Sequence, residues 1–243
     1  MDAHSLRARL RPLMRRTSWA GQALQSIRSL RFALHTPRRA FDDIHRRHFL
    51  KSREDRERAG PHMPESGHIR LLLQALIEKY DVQTLLHIPC GDFHWLSRID
   101  LNGCTYIGGD VLPEVVQANT ERFAGPACSF RRIDILRDRL PRAEMLLCRD
   151  LLVHLSTAHI RRALANIKRC DIRFLLTTHY VRAGTYEDIA TGGWRPVNFR
   201  LAPFHFPEPL ETLFERAPDC GDYRGARALG KSLALWRMCD LPG

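Results

Sequence analysis

The 243-residue sequence contains no apolar run near the roughly 18 residues that a membrane-crossing helix needs. Its N-terminus also lacks an uninterrupted apolar core followed by a small-residue cleavage site, so neither a span nor a secretory leader is expected. Cysteine is sparse and scattered: Cys90, Cys104, Cys128, Cys148, Cys170, Cys220 and Cys239 are odd in number, with neither CxxC pairs nor zinc-type Cys/His spacing. That argues against a disulfide framework or a zinc module and fits a reducing cytoplasm, with most thiols buried as small hydrophobes. Internal repeats and low-complexity tracts are absent. Lysine is rare beside arginine throughout, which reads as a compositional bias of the source genome. What remains is an ordinary globular make-up, 44% hydrophobic and 27% charged, long enough for one well-buried α/β domain plus an appendage.

The net charge of +11 is unevenly placed: residues 1–60 hold 15 Lys and Arg against 6 Asp and Glu, and the remainder carries only +2. From Leu6 to Phe41, Arg alternates with Leu, Ile, Phe and Trp as in one or two basic amphipathic helices. Such a segment suits an anionic membrane surface or nucleic acid, although a solvated basic face needs no partner; the segment also looks like a transit peptide. Lys51 to His68 is a charged connection containing Ala59-Gly60-Pro61, which puts the domain boundary near residue 60: a basic helical extension at 1–60 and a folded domain at 61–243.

Within that domain, apolar residues at helical spacing predict a helix over 67–80. A regular order then follows: strand 82–88, helix near 92–99, strand 105–109, helix 112–123, strands near 128–133 and 143–148, helix 156–169 and strand 172–178. This alternation implies a mostly parallel, doubly wound sheet of Rossmann-like type covered by helices on both faces. Pro113 suits a first helical turn, and Ser156 is placed to cap the helix that ends at Lys168 and Arg169. Val181 to Glu211 is too rich in proline for a central strand, and its Trp and Phe content argues for an ordered loop. Ser232–Met238 alternates as a final strand.

The most informative stretch is Val82–Trp95, in which an apolar run breaks into Pro89-Cys90-Gly91-Asp92. A second run ends in Asp110, so the pair reads as a nucleotide-type site: a turn open to a ligand and an acid for ribose hydroxyls. With Ile133-Asp134-Ile135 and Cys148-Arg149-Asp150-Leu151-Leu152-Val153-His154-Leu155, the chain resembles the class I S-adenosylmethionine-dependent methyltransferases. More narrowly, it is similar to a bacterial group with a DIPCGDFNW-like first motif and a GDWRPLN…PPFNFPEPL-like later segment. Here the later segment stands as Gly192–Asn198 and Ala202–Leu210, and the resemblance covers about residues 65–238. It implies S-adenosylmethionine as cofactor. Pro89, Cys90, Gly91, Asp92 and Trp95 would meet its amino-acid end, Asp110 the ribose, Asp134 and Ile135 the adenine, and Asp150 the region of the sulfonium. His87 departs from both patterns, standing where the broad family has an acid.

A hydroxyl acceptor must lose a proton, and His154 is the first candidate base. It follows Asp150 by four residues, so a helical turn would set the two on one face. His179 ends the fifth strand at the functional edge, while Trp194, Arg195 and Asn198 have the chemistry of an acceptor lid: an indole for stacking, a cation for an anionic group, an amide for hydroxyls. The acceptor expected is a small molecule or glycan hydroxyl. The alternatives are nucleic acid bound through the +9 segment and a non-catalytic module that keeps the fold, for which His87 is the motive. A dehydrogenase fits less well, since Pro89-Cys90-Gly91-Asp92 lacks the glycines that seat a pyrophosphate. Cys90 has no arranged base that would make it a nucleophile.

Overall fold

A computed structural model describes residues 65–215 and 229–242; the basic segment, the boundary near residue 60 and Cys220 lie outside the described residues. Seven strands, β1 (Thr84–His87), β2 (Thr105–Asp110), β3 (Cys128–Arg132), β4 (Ala143–Cys148), β5 (Ile172–Tyr180), β6 (Glu211–Phe214) and β7 (Lys231–Arg237), form one sheet in the order β3-β2-β1-β4-β5-β7-β6. The first five are parallel, and β7 runs antiparallel to both β5 and β6. Among the described residues the α-helices are α1 (Glu65–Lys79), α2 (Pro113–Phe123) and α3 (Thr157–Lys168), and none is long and apolar enough to cross a membrane.

The central strands are buried on both faces, which is why β1, β4 and β5 read as near-continuous apolar runs. Alternate residues feed two cores. Leu85, Met145, Leu147, Phe174 and Leu176 pack with Leu73, Leu76 and Ile77 of α1; Leu86, Leu146, Leu175 and Trp236 pack with Ile160, Ala163 and Ile167 of α3. Each fully buried leucine among them contributes about 1.5–3 kcal/mol relative to exposure. Ser156 caps α3 as expected, its hydroxyl accepting from His159 N–H at 3.3 Å. The six described cysteines are free thiols; Cys90, Cys104 and Cys148 are buried, whereas Cys239 is exposed.

The helix expected near 92–99 does not form. Phe93 adopts φ +57° and is drawn into the core against Tyr106, Phe123 and Phe130, so the segment advances as a chain of tight turns. Asp92 therefore does not cap a helix; its Oδ1 accepts from His94 N–H two residues on. The four-residue edge strand β6 was not expected either, because it begins directly behind Pro207 and Pro209.

Gly109 in β2 allows a close approach near the sheet's carboxyl end. A Cβ there would lie 2.8 Å from Ile88 Cγ1 and 2.9 Å from Ile133 Cδ1. Gly109→Ala is expected to destabilise the fold by about 1–3 kcal/mol, seen as a lower urea midpoint at unchanged m-value.

Candidate active site

Strand order reverses at β1, between β2 and β4, and in open α/β sheets ligands bind outside the carboxyl ends at such a point. The turn after β1 holds Gly91 at φ +54°, a left-handed conformation that glycine adopts without strain, and a Cβ there would meet nothing within 4 Å. Asp110 closes the turn from the neighbouring strand. Its fully buried carboxylate accepts from Gly91 N–H at 3.3 Å and from Leu112 N–H at 3.1 Å. Cys90 points inward to Asn119, and burial, reinforced by the Asp110 charge, pushes its thiol far up, so it stays protonated.

Beside this turn lies a small pocket, open to solvent and lined by Ile88, Pro89, Val111, Ile133, Asp134, Ile135 and Leu151. Six apolar walls and one carboxylate suit a flat heteroaromatic ring carrying an amino group. Asp134 is half-buried and anchors itself by accepting Leu136 N–H at 2.9 Å. The resemblance placed Asp134 and Ile135 together here; Ile88, Val111, Ile133 and Leu151 were not anticipated, though each sits within one residue of an expected one.

His87, which takes the position of the missing acid, is enclosed. Its Nδ1 shares a 3.0 Å hydrogen bond with the Tyr106 hydroxyl, and its ring meets Trp95 edge-on. Burial, with the nearby Arg149 cation, lowers its pKa to about 3, so it is neutral. Trp95, half-buried, is clamped between this ring and the Arg149 guanidinium, which lies 5.0 Å from the indole centroid.

Asp150, two residues beyond β4, stands at φ +56°, a left-handed conformation uncommon outside glycine, and the turn that follows is a single 3-10 turn, Leu152–His154. The α-helical turn expected to align Asp150 with His154 is therefore absent. The left-handed residue instead delivers the Asp150 N–H to Thr178 Oγ1 at 2.8 Å, and that hydroxyl donates to Asp150 Oδ1 at 3.2 Å. Asp150 Oδ2 pairs with Lys231 at 2.8 Å. Lys231 also meets Glu215 at 3.1 Å, and Glu215 receives two hydrogen bonds from Arg149, at 3.0 and 2.9 Å. Burial alone would raise the Asp150 carboxyl, but Lys231 and Arg149, with a smaller contribution from His154, outweigh it and hold the group well below the usual carboxylate range.

His154 is buried, and its Nδ1–H donates to the Gly193 carbonyl at 2.7 Å. A carbonyl only accepts, so Nδ1 carries the proton and Nε2 is the ring's lone-pair nitrogen in the neutral form. Two backbone bonds pin the same contact from either side: Gly192 N–H to His154 O, and Arg195 N–H to Val153 O.

The remaining expected residues serve the loop's own packing. Arg195 is buried and donates to the Leu155 carbonyl and to Thr157 Oγ1 while pairing with Asp188. Asn198 donates to the Val181 and Ala183 carbonyls. His179, expected at the functional edge, is instead fully enclosed among Phe199 and Trp236, with Nδ1 accepting from Phe199 N–H; burial lowers its pKa to about 4. The strand period of two turns it away from the Asp150 side that Thr178 faces. Of the expected lid, Trp194 and Asn198 are half-buried, and Trp194 stands edge-on to Tyr180.

No protein-family model and no curated protein matches the sequence. Solved structures do match the architecture. Burkholderia thailandensis 1,6-didemethyltoxoflavin-N1-methyltransferase, with 1,6-didemethyltoxoflavin and S-adenosylhomocysteine bound, aligns at TM-score 0.57 and 17% identity, over 84% of this chain and 91% of its own. The N-methyltransferase NodS from Bradyrhizobium japonicum WM9 aligns at TM-score 0.50 and 14% identity, over 70% and 93%. The methyltransferase domain of bacterial CtHen1 gives 0.50 and 11%, over 70% and 96%. The chain has the methyltransferase fold.

Within this methyltransferase fold, Thr178, Tyr180, Glu215 and Lys231 surround Asp150 without having been singled out in the sequence. Lys231 left one trace, as one of only four lysines among 38 basic residues. The ion pairs themselves join positions far apart in the chain and become visible only once β7 is known to lie beside β5.

Proposed function

We propose that the protein transfers a methyl group from S-adenosylmethionine to a hydroxyl of a small molecule or glycan. The observation that carries this reading is the pocket of Val111, Asp134, Ile135 and Leu151 beside the Gly91 turn, at the strand-order reversal. The methyl donor seen as its demethylated product in the Burkholderia enzyme supports the choice of cofactor. In this reading Val111, Ile135 and Leu151 cover the adenine and Asp134 takes its amino group. Asp110 holds the ribose, and Pro89, Cys90, Gly91, Asp92 and Trp95 border the amino-acid end, with Asp150 nearest the sulfur. The cofactor supplies a transferable methyl on a sulfonium. The chain's own work is alignment of donor and acceptor, exclusion of water and removal of the acceptor proton.

His154 takes that proton at Nε2, its tautomer set by the Gly193 carbonyl. Asp150, ionised and paired with Lys231, is too weak a base for the task. Trp95 and Trp194, both half-buried, offer aromatic surface for a ring or sugar face. Two acids and two bases balance one another around Asp150, which favours a neutral acceptor over a strongly charged one.

Isothermal titration tests the cofactor site. S-adenosylmethionine is expected to bind saturably, and Val111→Trp, which fills the pocket from a half-exposed position, is expected to weaken it at least about tenfold. A wild-type protein that binds nothing at millimolar ligand would instead support a module that keeps the fold without the cofactor.

A further inference from the structure

Arg149, Glu215, Lys231 and Asp150 form an alternating chain of charges: guanidinium to carboxylate at 2.9 Å, carboxylate to ammonium at 3.1 Å, ammonium to carboxylate at 2.8 Å. Four elements contribute: β4 and its end (Arg149, Asp150), the end of β6 (Glu215) and the start of β7 (Lys231), with β5 closing the side through Thr178 and Tyr180. His154 on the 3-10 turn, Tyr180 and Cys148 are further titratable groups near Asp150, and His87 and Trp95 face Arg149. Side chains of Lys231 and Glu215 are only 19% and 10% exposed, while Arg149 and Asp150 are 27% and 40% exposed, so solvent screens the cluster only in part. Asp150 directly precedes Leu151, a wall of the pocket. The cluster therefore sits where a cationic sulfur is read to lie, and with two charges of each sign it presents no net charge.

We propose that Lys231 is a positioning residue that sets the charge beside the methyl donor: together with Arg149 it neutralises Asp150 and Glu215, so that the site does not hold a cationic sulfonium much more tightly than the neutral thioether left after transfer. The inference rests on the cofactor reading above and goes beyond it. A net-negative cage would stabilise the charged ground state more than the transition state, in which positive charge is leaving sulfur, and so would slow transfer. A net-positive cage would repel the donor. Balanced charge meets both demands while the Lys231 bond fixes the Asp150 carboxylate, whose backbone is already held in the left-handed region.

The test is the ratio of affinities for S-adenosylmethionine and S-adenosylhomocysteine, measured by titration calorimetry at neutral pH and constant ionic strength. The ligands share every group except the sulfonium methyl, so a disturbance that only loosens the fold weakens both and cancels in the ratio. Lys231→Met leaves the cluster one charge negative and is expected to shift the ratio about tenfold toward S-adenosylmethionine, the size of one unit charge acting at intermediate dielectric. Glu215→Gln leaves it one charge positive and is expected to shift the ratio about tenfold the other way. Lys231→Arg, which keeps the charge, restores the wild-type ratio. If Lys231→Met does not fold, the near-isosteric Glu215→Gln carries the test alone. Ratios that stay at the wild-type value, or move in the same direction in both variants, overturn the charge-balancing role while leaving the cofactor site standing. A wild-type protein that binds neither ligand overturns the cofactor reading itself.

Discussion

His154→Ala is expected to slow methylation of a hydroxyl acceptor by about 10²–10⁴-fold, the usual worth of a positioned general base. The affinity for S-adenosylmethionine is expected to change by less than about twofold. The argument runs through the ring's fixed orientation. Because Nδ1–H is committed to the Gly193 carbonyl at 2.7 Å, the lone pair is at Nε2 and the ring does not rotate freely between tautomers. The pocket that would hold the adenine is built from Ile88, Val111, Ile133, Ile135 and Leu151, so removal of the imidazole leaves it intact. Single-turnover rates with an acceptor found by screening, set beside calorimetric affinities, separate the two effects. Equal loss of binding and rate would assign His154 to the architecture and not to the chemistry.

Acid is expected to destabilise the protein by about 2–3 kcal/mol between pH 7 and pH 5.5, well above the range in which carboxylates titrate. Two rings carry this. His87 and His179 are buried, with pKa lowered to about 3 and about 4, chiefly by desolvation, whereas an unfolded histidine titrates near 6.5. Below about pH 6.5 the unfolded chain therefore binds protons that the native chain refuses, and stability falls with pH until the folded values are reached. Each ring contributes about 1.2 kcal/mol over the stated interval. Asp150 and Glu215, whose pKa values are lowered in the fold, add their own loss only as pH drops through the unfolded carboxylate range near 4. Urea unfolding at the two pH values checks the total, and a His87→Gln, His179→Gln double variant is expected to flatten the difference. Undiminished stability at pH 5.5 would mean that both rings accept protons without unfolding.

The parallel sheet was legible because its strands are apolar on both faces and its helices carry their own signals, Pro113 at the start of α2 and Ser156 before α3. The Gly91 turn was legible because a strand's carboxyl end is marked by where an apolar run stops, whereas Asp134, Ile135 and Asp150 were singled out only by the resemblance. Segment 92–99 misled because its composition tolerates a helix, while the decisive force was burial of Phe93, a tertiary demand that composition does not record. His179 looked functional from its edge position; the alternation of β5 was the overlooked signal, since Thr178 and His179 must face opposite sides. The roles of Arg195 and Asn198 inside the loop were hidden because both bind backbone carbonyls, partners that every sequence contains.

The segment from Val181 to Leu210 has an aromatic interior of its own, with Phe199 and Phe206 packed on Trp236, Phe204 packed on both of them, and the Trp236 indole donating to the Pro207 carbonyl at 2.9 Å. A stretch filled in this way behaves as a wall and not as a door. Acceptors would then be admitted or refused by a fixed outline, with Trp194 as its half-exposed face, and turnover would not wait on this segment swinging aside. Exchanging Trp194 for smaller residues should therefore widen the range of acceptors taken without altering how quickly each one arrives.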